Sequence, residues 1–138
     1  MESIVYLGAF IPFSDLHCRL KGGRLPFVIE NPHVTFEYMP RLVDTSLFGA
    51  AVILTVTGYG NNKKSEGLRV EVQCTDPRLR QMAAKIEVPH ITVSKTPDTP
   101  SVDTKYLSFQ PITPFRLNAV FGGFTSAGRV IKESGVSL

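Results

Sequence analysis

The sequence predicts an α+β domain that is rich in antiparallel strands and carries two helices. Runs of β-branched and aromatic residues alternate with turns of glycine, proline and asparagine, as in antiparallel sheets. The segment 76–86 shows helical periodicity and begins with Asp-Pro, a typical helix start. A segment of Pro-His-apolar-Thr-apolar occurs twice, as PHVTF and PHITV. We therefore expect a loose duplication in which each half contributes strand material, a helix and one Pro-His strand.

The predicted elements follow one another without a low-complexity linker, so a single domain over residues 1–138 is expected. In the first half they are a strand at 3–10 ending before Pro12, a helix capped by Ser14 or Asp15 and closed by Gly22-Gly23, an extended connection marked by Pro26 and Pro32, a strand at 33–38 and a helical turn at 44–50. Next come a hairpin of strands 51–59 and 68–74 around the turn 61–67, a helix from Asp76 to Ile86, a strand at 88–95, a loop at 96–104, strand material at 105–124, a turn at 126–128 and a final strand at 129–133.

Two prolines are expected to interrupt the strand material at 105–124. Pro111 and Pro114 lack the N–H group that a sheet ladder needs, so a continuous strand through both is not predicted.

The composition is that of an ordinary soluble domain, with 43% apolar and 20% charged residues. The net charge of +3 permits an anionic ligand or a nucleic acid but does not by itself indicate one. Tryptophan is absent and nine phenylalanines are present, so we expect phenylalanine to fill the core.

The compartment is predicted from the cysteines and the N-terminal segment. Cys18 and Cys74 form no C-x-x-C motif and are too few for a disulfide-rich secreted domain, so we expect two buried free thiols and no cysteine zinc site. MESIVYLGAF has no basic region before its apolar stretch, unlike a secretory signal, and no apolar run approaches the ~20 residues of a membrane span. A monomeric cytoplasmic protein without membrane contact is expected.

The two motif strands place histidine and threonine on one face, because side chains alternate along a strand. The predicted polar face consists of His33, Thr35 and Glu37 on the first strand and of His90, Thr92 and Ser94 on the second. The predicted apolar face consists of Val34, Phe36, Tyr38, Ile91 and Val93. Two rigid strands can therefore hold two His/Thr pairs around one ligand.

This combination suits acid–base chemistry at a phosphodiester. An imidazole titrates near pH ~6.5, so one can take a proton from a nucleophile while the other gives a proton to the leaving oxygen. Threonine hydroxyls can hold the phosphate oxygens as charge develops. Such a reaction requires no metal, and a two-histidine metal site would lack an evident third ligand.

The paired motifs His33-Val34-Thr35 and His90-Ile91-Thr92 resemble those of the two-histidine (2H) phosphoesterase superfamily, also called LigT-like. The resemblance implies two pseudo-symmetric lobes of antiparallel sheet with flanking helices around a central cleft that carries both H-x-T motifs. It also implies catalysis by His33, Thr35, His90 and Thr92 without metal or cofactor, on a phosphodiester that involves a ribose 2′ oxygen, such as a 2′,3′-cyclic phosphate or a 2′,5′ linkage on a nucleotide or RNA end.

Other residues and readings remain open at this point. The rings of Tyr6, Phe124 or Phe121 could stack on a base of the substrate, and core packing is the simpler alternative for them. Arg41 and Lys95 follow the motif strands and could bind a phosphate, and solvated surface charge is the simpler alternative for them. The runner-up function is degradation of a cyclic oligonucleotide messenger. A non-catalytic RNA- or nucleotide-binding module, and a structural protein in which the repeat is a coincidence, are alternatives of other classes.

Overall fold

The computed structural model describes residues 2–135, so Met1 and residues 136–138 of the expected domain lie outside the described part. The fold is α+β and consists mostly of antiparallel sheet. The strands are β1 (Ile4–Phe10), β2 (Phe27–Val28), β3 (His33–Tyr38), β4 (Ala51–Asn61), β5 (Ser65–Cys74), β6 (His90–Lys95), β7 (Gln110–Thr125) and β8 (Val130–Ile131). The helices are α1 (Phe13–His17) and α2 (Pro77–Ala84), and 3-10 segments cover Thr45–Leu47 and Ser101–Tyr106.

All of these strands belong to one sheet in the order β2-β6-β5-β4-β7-β1-β3, with β8 paired to β7. β3 lies at one end of this order and β6 lies next to the other end, yet residues of β3 and β6 come within 8 Å of each other between Cα atoms. The sheet therefore curls until its two ends face one another. Register shifts at Leu7/Gly8, Val56/Gly58 and Glu66/Gly67 accompany this curvature, as bulges do in bent sheets.

One face of the curled sheet carries the hydrophobic core. Along β4 the side chains alternate strictly, so that Val52, Leu54 and Val56 are buried while the residues between them are not. Leu79 of α2 and Phe121 of β7 complete the core, which forms one cluster. The expectation that phenylalanine fills the core is met only in part: Phe36, Phe48 and Phe121 belong to it, but most core residues are aliphatic.

The second helix matches its sequence signals. α2 begins at Pro77, and the carboxylate of Asp76 accepts a hydrogen bond from the backbone N–H of Arg78 at 2.8 Å. Asp76 is thus the N-cap that the sequence predicts, with proline in the first turn. The helix ends two residues before the predicted Ile86, which still packs against the core.

The first helix is shorter and begins earlier than predicted. α1 starts at Phe13 with Pro12 as its N-cap residue, and neither Ser14 nor Asp15 caps it. The carbonyl of Pro12 already accepts hydrogen bonds from the N–H groups of Asp15 and Leu16, so the turn closes before a Ser14 cap could form. The helix ends at His17 and does not continue to Gly22.

Two strands extend further than predicted. β5 begins at Ser65, inside the expected turn 61–67, because the side chain of Asn62 accepts the N–H groups of Lys64 and Ser65 and closes a tighter loop. β7 runs without interruption through Pro111 and Pro114. This part of β7 pairs with β4 alone, since pairing with β1 begins only at Val120. The missing proline N–H groups are tolerated there because an edge lacks a second ladder.

Neither cysteine forms a disulfide. Cys74 is a buried free thiol, as expected, whereas Cys18 is exposed because it follows the short α1 on its solvent side. No helix within residues 2–135 has the length and apolar character that crossing a lipid bilayer requires.

A buried ion pair ties the segment before β2 to the sheet. Glu66 has no exposed surface, and its carboxylate pairs with the guanidinium of Arg24. It also accepts hydrogen bonds from the hydroxyls of Tyr59 at 2.5 Å and Ser94 at 2.7 Å. The Ser94 oxygen in turn accepts the N–H of Leu25 at 3.0 Å. Every oxygen of the buried carboxylate is thus satisfied, as a buried charge requires.

We predict that Glu66→Ala lowers the free energy of unfolding by about 3–5 kcal/mol, because the Arg24 guanidinium and the hydroxyls of Tyr59 and Ser94 lose the carboxylate that they bind. Urea unfolding measures this loss. Glu71→Ala on the exposed face of the same strand is the matched control and should change stability by less than about 0.5 kcal/mol. Equal losses in the two variants would refute a structural role for the ion pair.

Candidate active site

The strands β3 and β6 present the two histidines and two threonines to a common cleft. His33, Thr35, His90 and Thr92 all line it. On the opposite face Val34, Ile91 and Val93 have no exposed surface and anchor the strands in the core. The predicted alternation is confirmed from His33 to Phe36 on β3 and from His90 to Val93 on β6. Ser94 departs from the predicted polar face: Gly67 pairs with Thr92 and the adjacent Glu66 pairs with Ser94, so Val93 is an extra residue on β6. Ser94 is fully buried against Glu66 and does not line the cleft.

Tyr38 departs from the predicted alternation. The sequence predicts it on the apolar face with Val34 and Phe36, but it is 70% exposed and lines the cleft. The cause is a bulge: Gly8 pairs with Thr35 and the adjacent Leu7 pairs with Glu37, so Phe36 is an extra residue on β3. A bulge resets the alternation that follows it. Tyr38 therefore pairs with Tyr6 and shares its face.

The cleft is large and mainly apolar. It has a volume of about 1230 Å³. Besides the motif residues, its lining includes Tyr6, Pro26, Phe27, Val28, Ile29, Glu30, Asn31, Tyr38, Pro100, Ser101, Val102 and Phe124. Among residues 2–135 no lysine or arginine lines the cleft, and Glu30 is the one acidic residue that does. The cleft therefore offers hydrophobic walls around a polar centre.

The other predicted binding residues divide into two groups. Tyr6 and Phe124 line the cleft as the sequence suggested. Arg41 and Lys95 do not: Arg41 is exposed in the loop after β3, and the ammonium of Lys95 lies 5.0 Å from the ring centroid of Phe27. Phe121 is a core residue with 1% exposure, so it cannot stack on a ligand.

Each motif histidine donates a hydrogen bond to the carbonyl two residues before it. Nδ1 of His33 lies 2.8 Å from the oxygen of Asn31, and Nδ1 of His90 lies 2.7 Å from the oxygen of Val88. A carbonyl oxygen can only accept, so Nδ1 carries the proton in both rings. In the neutral state Nε2 then holds a free lone pair, which is what a general base needs.

The proline of each motif explains why these carbonyls are in place. Asn31 precedes Pro32, and Val88 precedes Pro89. A residue before proline is confined to extended backbone, so the direction of its carbonyl is restricted before folding is complete. The dipeptide Pro-His therefore favours the histidine tautomer in which Nδ1 carries the proton. The sequence shows both Pro-His dipeptides, but only the hydrogen bonds in the structure show that they orient the histidine rings.

Tyr6 lies between two other rings. Its ring centroid is 4.5 Å from that of His33 and 5.1 Å from that of Phe124, with interplanar angles of 26° and 12°. Because β1 runs between β3 and β7, these rings flank Tyr6 from opposite sides. The Tyr6 hydroxyl also approaches Nδ1 of His33 at 3.3 Å. Burial raises the pKa of Tyr6, so its hydroxyl stays protonated. Tyr6 therefore packs against the His33 ring and helps to hold its orientation.

Glycine stands opposite each motif threonine. Thr35 pairs with Gly8 across β1 and β3, and Thr92 pairs with Gly67 across β5 and β6. The positions that side chains would take there are already filled: a Cβ atom on Gly8 would lie 2.5 Å from the Val34 carbonyl oxygen, and one on Gly67 would lie 2.2 Å from the methyl carbon of Thr104. Glycine inside a strand often marks such a close approach. This was the signal in the sequence that could have located the surroundings of the two threonines.

Burial lowers the pKa of both motif histidines. For His33 burial is the largest cause; the Asn31 carbonyl opposes it, and the positive charge of protonated His90 adds to it. For His90 burial again dominates, the Val88 carbonyl opposes it, and Lys105 adds to it. Both imidazoles are therefore mostly neutral at neutral pH, and His33 holds a proton less readily when His90 is charged.

The third histidine is separate from this cleft. His17 stacks on Phe13 with ring centroids 3.9 Å apart, and its buried Nε2 has no hydrogen-bond partner. It does not line the cleft. Within residues 2–135 no group of three or more His, Cys, Asp or Glu side chains is placed to hold a metal ion.

Comparison with models of known protein families yields no match for this chain. No curated protein sequence matches it either.

We predict that the imidazole signals of His33 and His90 titrate with midpoints below about 6.5, the ordinary value for histidine, because both rings are partly buried in the cleft. In His90→Gln the pKa of His33 should rise, since a nearby positive charge is removed. NMR titration measures both effects, with His17→Gln as the control that leaves His33 unchanged. A midpoint for His33 at or above the ordinary value would contradict the burial described here.

Proposed function

We propose that this protein is a metal-independent phosphoesterase of the two-histidine type. Its substrate would be a nucleotide or RNA phosphodiester that involves a ribose 2′ oxygen. The observation that carries the proposal is the pair of imidazoles in one cleft, each with its Nδ1 proton donated to a backbone carbonyl. Two such rings provide the base and the acid that displacement at phosphorus requires.

In the proposed reaction one neutral imidazole takes a proton from water through Nε2. The water oxygen forms a bond to phosphorus while the bond from phosphorus to the ribose oxygen breaks. The second imidazole, protonated at the start, gives its Nε2 proton to that leaving oxygen. Thr35 and Thr92 donate hydrogen bonds to the non-bridging oxygens, whose negative charge grows in the transition state.

The repetition of local detail supports a duplicated, two-lobed origin for the site. Each half supplies a strand with a proline before its histidine, a carbonyl bond to Nδ1, and a threonine opposite a glycine. Two lobes with pseudo-symmetry around the cleft stay a prediction, as does membership of the 2H phosphoesterase superfamily.

The cleft favours a compact nucleotide over a long RNA strand. Proteins that track a nucleic-acid backbone usually neutralise its phosphates with lysine and arginine. In the described part of the chain neither residue type lines the cleft, and Glu30 would repel additional phosphates. Aromatic and aliphatic walls instead suit nucleobases around one scissile phosphate. A nucleoside 2′,3′-cyclic phosphate fits these properties.

The second candidate function is degradation of a cyclic oligonucleotide messenger. Small-molecule sites usually enclose about 300–1,000 Å³. The present cleft, at about 1230 Å³, has room for more than one nucleotide. A cyclic dinucleotide or trinucleotide would use that space while placing one phosphodiester between the histidines. A non-catalytic nucleotide-binding module is the alternative of another class, and it would bind without turnover.

We predict turnover of 2′,3′-cyclic nucleotides or of cyclic oligonucleotides in the presence of EDTA. His33→Ala and His90→Ala should each lower kcat by about 10²–10⁴-fold, because each removes one proton transfer. His17→Gln is the matched control and should retain activity, since His17 does not line the cleft. Binding without turnover, unaffected by either alanine variant, would establish the binding module and defeat the proposed catalysis.

We predict a bell-shaped pH profile of kcat/KM with its maximum below about pH 6.5, the ordinary pKa of histidine. Activity falls at higher pH because burial lowers both pKa values and the imidazolium acid is lost. It falls again at low pH when the base becomes protonated. Circular dichroism across the range checks that the fold persists. A maximum in alkaline solution would be incompatible with two buried imidazoles acting as acid and base.

A further inference from the structure

The hydroxyl of Thr92 has a specific neighbour outside both motifs. Thr104 belongs to the 3-10 segment Ser101–Tyr106 and has no exposed surface. Its Oγ1 lies 2.8 Å from Oγ1 of Thr92, within hydrogen-bond distance. The Ser101 carbonyl is a second, longer acceptor for Thr92 at 3.3 Å. The segment that supplies both groups also lines the cleft through Ser101 and Val102.

The place of Thr104 depends on a glycine. Gly67 stands in register with Thr92, and a Cβ atom added there would lie 2.2 Å from the methyl carbon of Thr104. Real side chains do not approach so closely, so only glycine at position 67 lets Thr104 sit beside Thr92. The contact is therefore part of how β5, β6 and the 3-10 segment fit together.

We propose that Thr104 is a positioning residue that holds the Thr92 hydroxyl ready for a phosphate oxygen. The inference rests on the proposed function. A hydroxyl has one hydrogen to donate and can accept as well. When the Thr92 hydrogen turns to the phosphate, the Thr104 hydroxyl rotates and donates its own hydrogen to the Thr92 oxygen. Chains of this kind strengthen each bond along them. No proton leaves its oxygen.

The experiment compares Thr104→Val with Thr104→Ser. Valine keeps the shape and the methyl group that rests on Gly67 but removes the hydroxyl, so kcat should fall about tenfold with little change in KM, the loss expected for one hydrogen bond made stronger in the transition state. Serine keeps the hydroxyl and should retain activity to within about twofold. Thr99→Val is the matched control: it removes a buried hydroxyl from the preceding loop, where Thr99 pairs with Thr96 at 2.5 Å.

A double-mutant cycle tests whether Thr104 acts through Thr92. In a Thr92→Val background Thr104→Val should cause no further loss of kcat, because the hydroxyl that Thr104 positions is already gone. The inference is overturned if Thr104→Val keeps full activity, if Thr104→Ser loses as much as Thr104→Val, or if Thr104→Val costs the same in both backgrounds.

Failure of the proposed function has a different signature. In that case the wild-type protein turns over none of the cyclic nucleotides or oligonucleotides. The coupling of the two threonines is then decided by urea unfolding of the wild type, the two single valine variants and the double variant. Additive losses of stability overturn the inference, and non-additive losses support a direct bond between the hydroxyls.

Discussion

The curvature of one sheet is the constraint on which the candidate site depends. β3 and β6 lie near opposite ends of the strand order, so in a flat sheet their histidines would be separated by the width of the intervening strands. The sheet twists and bends at register shifts in β1, β4 and β5, and its ends approach one another. The continuous core on the other face, from Val34 to Ile91, stabilises that bend.

The curled sheet holds each histidine in one tautomer and one orientation without a bound ligand. The bonds from Nδ1 to the Asn31 and Val88 carbonyls select the tautomer, and the following prolines restrict the carbonyls themselves. Tyr6 adds a ring against His33, and Phe124 supports Tyr6 from the other side. Little reorganisation would therefore accompany proton transfer, which is the advantage of a preorganised polar site.

The electrostatic character of the cleft is unusual for a site proposed to bind phosphate. Within residues 2–135 no lysine or arginine lines the cleft, so positive charge comes from the histidines when protonated and from Lys105, which acts on His90 from outside the lining. Burial keeps those rings mostly neutral. Neutral donors such as Thr35 and Thr92 then carry more of the recognition, and hydrogen bonds in a sheltered cleft are stronger than in water. The proposed chemistry therefore depends on the position of the Thr92 hydroxyl, next to which Thr104 and Gly67 lie.

The sequence by itself determined the α+β class, the strand nature of both Pro-His motifs, the capped helix at Asp76 and the sharing of a face by His33 with Thr35 and His90 with Thr92. These are local properties, set by alternation, capping and proline. The tertiary structure decided what depends on distant contacts. Only pairing with β1 reveals the bulge that moves Tyr38 into the cleft, and β7 passes through Pro111 and Pro114 only because that part of the strand pairs with β4 alone. Arg41 and Lys95 follow the motifs in sequence but lie outside the cleft, whereas Thr104 is remote in sequence and touches Thr92. Proximity along a chain predicts shared strands, but proximity in space depends on how the whole sheet curls.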